Sequence, residues 1–109
     1  MSVNSIRNLL EIACQSLPEK VALKQGNNSL TYQELYIKVN QIANYFKTLK
    51  LAKGSRIGIY SNKGMNQVIA ILALLSTDFV IVPITRFLKP EQVEYIIDDC
   101  GIEVIITDA

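Results

Sequence analysis

FVIVPITRFLKPEQVEYII, Phe79 to Ile97, decides the fold. Phe79–Val82 is wholly apolar and reads as a short buried strand that stops at Pro83. Pro90 opens a helix, at a first-turn position where its missing N–H costs nothing. Val93, Ile96, Ile97 and Cys100 form that helix's inner stripe, and Gly101 ends it. Ile102–Ile106 is then the last strand. Upstream, Arg56–Tyr60 is a strand and Ser61–Gly64 a turn. Met65–Ser76 is a helix with so little polar surface that burial is expected. The second half thus alternates strand, helix, strand, helix, strand. Two of the strands are apolar on both faces, the pattern of a parallel sheet covered by helices with right-handed crossovers.

The first half supplies the flanks. Ile6, Leu9, Leu10, Ala13 and Leu17 recur at helical spacing over Ser5–Leu17, and Pro18 forces an end. Val21–Lys24 and Ser29–Leu30 flank Gln25-Gly26-Asn27-Asn28, a small hairpin. In Leu30-Thr31-Tyr32-Gln33-Glu34-Leu35, Thr31 caps a helix and Glu34 returns the hydrogen bond. Leu30 and Leu35 are placed as its hydrophobic staple. Leu35, Val39, Ile42, Ala43, Phe46 and Leu49 continue the stripe, and Gly54 follows the stop. The expected class is α/β: a partial three-layer, doubly wound parallel sheet with an N-terminal helix and a small β-hairpin. Residues 1–109 form one piece with no internal boundary. No closing helix follows the last strand, so a fragment of a larger domain is expected.

Composition narrows the function. Half of the 109 residues are hydrophobic, which excludes a disordered chain, and a net charge of +1 gives no pull on nucleic acid. Lys47, Lys50 and Lys53 favour the negative end of a helix. The opening MSVNSIRNLL lacks the apolar core of a secretory leader, and the apolar run Val68–Leu75 is far below the roughly 20 residues that span a bilayer. Cys14 and Cys100 have no metal-ligand spacing; Cys100 is expected as a buried free thiol, which suits the cytoplasm. Histidine is absent, which removes the usual general base and every Ser–His or Cys–His arrangement.

Three stretches could carry chemistry. Ser61-Asn62-Lys63-Gly64 is an anion site at a helix N-terminus or a plain turn, since neither GxxxxGK[ST] nor GxGxxG occurs. Asp98-Asp99 could bind Mg²⁺ or share a proton, but its place late on an amphipathic helix favours a solvated face. Thr85-Arg86 follows a strand's carboxyl end, where open α/β sheets bind ligands. Phe87-Leu88 beside it reads as packing that pins the loop.

LTYQEL, Leu30–Leu35, resembles the L-[TS]-Y-x-E-L motif of the adenylate-forming (AMP-binding) superfamily, which includes acyl-CoA synthetases and non-ribosomal peptide adenylation domains. Lys53–Ile59 resembles its G-D-R-V-G/A-I segment. Leu75–Thr85 resembles L-K-A-G-x-A-Y-V-P-[IL]-[DN], with Ser76, Asp78 and Thr85 departing from the motif's Lys, Gly and Asp/Asn. Pro90–Ile97 and Val104–Thr107 match the helix and strand that follow.

The resemblance implies the N-terminal part of an ATP-dependent ligase for a fatty acid or other carboxylate. Such enzymes form an acyl-adenylate and then a thioester. ATP, Mg²⁺ and coenzyme A or carrier pantetheine are implied for the full-length enzyme. The Phe87–Ile97 stretch favours an acyl-CoA ligase. The motifs that bind nucleotide lie outside these residues, so no catalytic, cofactor-binding or metal residue is assigned. The chain is expected to be an inactive scaffold whose partners are the rest of its own domain and, in isolation, other copies of itself. Thr85→Ala is expected to alter folding more than binding. Two alternatives stand beside this: a stand-alone α/β interaction or regulatory module, and a small nucleotide-binding domain using Ser61–Gly64 and Thr85–Arg86.

Overall fold

A computed structural model describes residues 5–107, with side chains from Asn8. Helix α1 spans Ser5–Ser16, and strands β1 (Val21–Gln25) and β2 (Asn28–Thr31) form the antiparallel hairpin. Helix α2 spans Tyr32–Thr48. Strand β3 (Arg56–Tyr60), α3 (Met65–Leu75), β4 (Val80–Pro83), α4 (Pro90–Cys100) and β5 (Ile102–Thr107) complete the alternation. The parallel sheet has the order β4-β3-β5, so the chain winds outward from β3 in both directions.

Local signals place the joints. Gln25 pairs with Asn28, and Gly26 takes φ +59° at the first central position of the two-residue turn. The Thr31 Oγ1 accepts the Glu34 N–H at 3.2 Å, and Glu34 Oε1 accepts the Thr31 N–H at 2.9 Å. Leu30 and Leu35 are both buried in one cluster, as the staple requires. Lys89 N–H donates to Gln92 Oε1 at 2.8 Å, which fixes the start of α4 ahead of Pro90.

The core has three parts. Leu10 of α1, Leu35, Val39 and Ala43 of α2, and Ile69 and Ala73 of α3 pack together over the hairpin. Phe46 and Leu74 then meet Ile57 and Ile59 on one face of the sheet. Val93 of α4 covers Ile84 and Ile102 on the opposite face. The sheet is therefore the middle of three layers. Gly58 sits under α4, where a Cβ would stand 3.2 Å from Ile84 and 3.3 Å from Ile102, so the missing side chain allows the close approach.

Several expectations need correction. Strand β4 begins at Val80 rather than Phe79, and it is not buried on both faces: Val80 is 47% exposed, Ile81 and Val82 are half-buried. The strand lies at a sheet edge with helix cover over only part of it. In α1, Leu10 is buried but Leu9 is exposed, because only one narrow face meets α2 and α3; the helix ends at Ser16, Leu17 just beyond it is also exposed, and Ile6 lies outside the described side chains. The left-handed residue after α2 is Lys50, with φ 55°, and Gly54 comes later, donating its N–H to the Asp78 carbonyl at 2.9 Å. Cys100 is half-buried against the α4 cluster rather than fully enclosed. In β5 a register shift follows Ile102, so Ile102 turns to α4 while Val104 and Ile106 face α2 and α3.

Candidate functional site

The carboxyl ends of β3 and β4 lie side by side, and a cleft of about 990 Å³ opens there. Its floor is apolar, from Ile59, Ile71, Ile81 and Ile84. Its rim carries Ser61, Lys63, Gln67, Thr85 and Arg86. Two stretches that are separate in sequence, Ser61–Gly64 and Thr85–Arg86, thus meet in one place. The meeting follows from topology: parallel neighbours joined by one crossover put both of their following loops at the same sheet end.

Side chains from the end of β3 hold the β4–α4 loop. The Tyr60 hydroxyl donates to the Leu88 carbonyl at 2.9 Å and lies 3.5 Å from the Arg86 carbonyl. The Arg86 guanidinium donates to Asn62 Oδ1. It also stands 5.2 Å from the centre of the Phe87 ring, a cation–π contact. Leu88 N–H reaches back to the Thr85 carbonyl at 3.2 Å, and Phe87 N–H to Thr85 Oγ1 at 3.4 Å. The expected packing role holds for Leu88, which joins the α4 cluster. It fails for Phe87, which is 82% exposed because its ring lies on the cleft's rim instead of under α4.

Of the two readings of Ser61–Gly64, an anion site or a plain turn, the structure favours the turn, since the first amide of α3 already has a partner. Gln25 of the hairpin places Oε1 2.9 Å from the Met65 N–H, the first helical amide. Gly64 has φ +154°, and a Cβ there would lie 2.8 Å from the Gln25 amide nitrogen. Gln25 was not legible as a cap, because it arrives from another element. Asp98 and Asp99 are both exposed on α4, so the solvated-face reading stands.

Chemically, the cleft can hold an amphipathic or anionic group and can do little more. No carboxylate lines it, so it offers no general base and no hard ligand for Mg²⁺. Among the described residues, no group of three or more Cys, Asp or Glu is placed to hold a metal ion. The cleft therefore offers Lys63 and Arg86 to an anion and no carboxylate to a magnesium ion. No helix among them is long and apolar enough to cross a membrane.

Known proteins agree with the sequence motifs. The model of the AMP-binding enzyme family matches residues 10–109. Gramicidin S synthase 1 of Brevibacillus brevis is 34% identical over 103 residues, which cover 94% of this chain and 9% of the synthase. Tyrocidine synthase 1 of Brevibacillus parabrevis is 33% identical over 103 residues, covering 94% of this chain and 10% of that protein. The chain thus spans about a tenth of the length of these curated relatives. The solved N-terminal subdomain of NpsA from Klebsiella oxytoca has the same fold, with a TM-score of 0.80 at 24% identity over 93% of this chain and 26% of that one. Motif order, fold and a family match that begins at Leu10 and runs to Ala109 converge: the chain belongs to the AMP-binding enzyme family.

Proposed function

We propose that these residues are the opening part of an adenylate-forming domain that activates a carboxylate with ATP. In that reaction a carboxylate oxygen bonds to the α-phosphorus and pyrophosphate leaves. A thiol sulfur then bonds to the acyl carbon and AMP leaves. The observation that carries the reading is the family match over residues 10–109. Within that reading the chain is scaffold, because the cleft at the ends of β3 and β4 lacks a carboxylate for Mg²⁺ and the first amide of α3 is taken by Gln25. The ATP and Mg²⁺ sites are then built by residues outside this stretch.

The two peptide synthetases among the relatives favour an amino acid as the carboxylate and a carrier-bound thiol as acceptor. The Phe87–Ile97 stretch leans instead to coenzyme A, and the acid panel below separates the two. The cytoplasm is the proposed location, where ATP is abundant and the free Cys14 and Cys100 stay reduced.

The test extends the chain downstream in its own reading frame and measures acid-dependent incorporation of labelled pyrophosphate into ATP. Amino acids and fatty acids are offered in turn. Exchange with an amino acid is expected, and none with the 109-residue chain alone. Absence of exchange with every acid overturns the adenylation reading. Calorimetric binding of ATP and Mg²⁺ by the 109 residues alone overturns the scaffold reading.

A further inference from the structure

The two ends of the parallel sheet carry different charge patterns. At the carboxyl end, Lys63 and Arg86 stand on the rim of a cleft that no carboxylate lines. The amino end carries both signs, and topology sorts them. Parallel strands begin side by side, so Arg56, Val80 and Ile102 stand in one row. The segments that lead into those strands therefore share this end. The Gly54 N–H donates to the Asp78 carbonyl at 2.9 Å, which ties the α2–β3 loop to the α3–β4 loop. The Arg56 guanidinium donates to the Cys100 carbonyl, which ties the start of β3 to the last residue of α4.

The cations gather in the α2 layer. Lys47 lies in the last turn of α2, and Lys50 and Lys53 follow it before β3. The carboxylates gather on the α4 side. Asp98 and Asp99 lie in the last turn of α4, and Glu103 follows at the start of β5. All six are exposed, and among the described residues none of them is held in an ion pair. Asp78 and Arg56, between the two groups, add one charge of each sign. The basic half is locally favourable, because cations suit a helix C-terminus. The acidic half is not. The last turn of α4 has no basic residue, and Asp98 and Asp99 meet the negative end of its dipole. Glu94 and Asp98 are also like charges four residues apart. Residues 90–109 hold six carboxylates and no Lys or Arg, so nothing on α4 or β5 offsets the repulsion. Natural sequences bear such local costs where a function uses them.

A surface with a basic half and an acidic half is self-complementary. A two-fold axis through it sets the lysines of one copy on the carboxylates of the other, and the reverse. We infer that the amino end of the sheet is a contact between two copies of this chain, in which Lys47, Lys50 and Lys53 of each copy meet Asp98, Asp99 and Glu103 of the other. This contact does not rest on the adenylation reading. Exposed ion pairs are individually weak, so it forms through their number and is sensitive to salt.

Sedimentation velocity on the 109-residue chain tests it, in a Phe87→Ser background that removes the exposed ring at the opposite end of the sheet. Dimers are expected in about 0.01 M salt. Their dissociation constant should rise at least about tenfold by about 1 M, as the screening length falls from about 30 Å to about 3 Å. The variants Lys50→Glu/Lys53→Glu and Asp98→Lys/Asp99→Lys should each be monomeric. Their far-UV circular dichroism should match the parent's, since all four side chains are exposed. An equimolar mixture of the two variants should dimerise again, because one end is then mainly acidic and the other mainly basic. A mixture that stays monomeric overturns the inference. So does a dimer that survives either pair of substitutions alone, or a parent chain that is monomeric in low salt.

Discussion

Gln25 Oε1 accepts the Met65 backbone N–H at 2.9 Å across 40 residues of sequence, so the hairpin caps the helix that begins the sheet's first crossover. Removing that acceptor leaves an amide at the start of α3 without its partner. Gln25→Ala is expected to cost about 1 kcal/mol, the usual size of a lost N-terminal cap. Urea unfolding read by circular dichroism measures it. Gly64→Ala is expected to cost at least as much, since its φ of +154° disfavours a side chain and the new Cβ meets the Gln25 amide. The double variant should cost less than the sum, because removing Gln25 also removes the clash. Strict additivity would show that Gln25 does not sit over Gly64.

The capping box gives a second, local prediction. Thr31→Ala removes the acceptor for the Glu34 N–H, and a loss of about 1 kcal/mol is expected in the same unfolding experiment. Glu34→Gln should lose less, because an amide oxygen can still accept from the Thr31 N–H. Equal losses would show that charge at the α2 N-terminus, rather than the hydrogen bond, matters there.

Tyr60→Phe tests the hold on the β4–α4 loop. Its hydroxyl bond to the Leu88 carbonyl is part-buried, and losing it is expected to cost about 1 kcal/mol. Thr85 is exposed and its hydroxyl accepts a long bond from the Phe87 N–H, so Thr85→Ala, which keeps the backbone bond to Leu88, should stay within about 0.5 kcal/mol of the parent. A larger effect at Thr85 than at Tyr60 would reverse the assignment of which residue fixes the loop.

What could be read from sequence was whatever is encoded locally. The Thr31–Glu34 box, the Gln25–Asn28 turn and the start of α4 at Pro90 are set by residues within a few positions of one another, and all three match. The misreadings share another cause. Four apolar residues in a row look the same in a central strand and in an edge strand, so the exposure of Val80 depends on where β4 lies in the sheet. Composition cannot show a register shift either, and the one after Ile102 sends neighbouring apolar residues to opposite faces. The cleft was half legible: both of its loops could be singled out, while their meeting required the β3–β4 pairing. Gln25 carried no signal at all, since a glutamine at the end of a hairpin strand has no reason to be a cap until α3 is docked beside it.

Leu74 shows no exposure and lies between Phe46 and the sheet, whereas Val80 is half open at the margin. Leu74→Ala is expected to cost about 2–5 kcal/mol, through lost burial and the cavity left behind. Val80→Ala should cost well under half of that in the same experiment, because much of its side chain already meets water. Similar losses at the two positions would contradict the edge placement of β4.

Phe87 is the most exposed large apolar side chain described, and it stands on the rim of a cleft with an isoleucine floor. Water around such a surface is released when two surfaces meet, so apolar patches of this kind drive association. The 109-residue chain is therefore expected to self-associate at micromolar concentration and to bind a hydrophobic dye. Phe87→Ser should weaken both while leaving stability within about 0.5 kcal/mol, since the ring contributes little to the core. The Arg86 guanidinium, which the ring contacts, keeps its bond to Asn62 in the variant. Sedimentation velocity over a concentration series gives the association. A monomeric parent chain with no dye signal would show that the cleft is not an adhesive surface. Unchanged association in the Phe87→Ser variant would move the contact away from this rim.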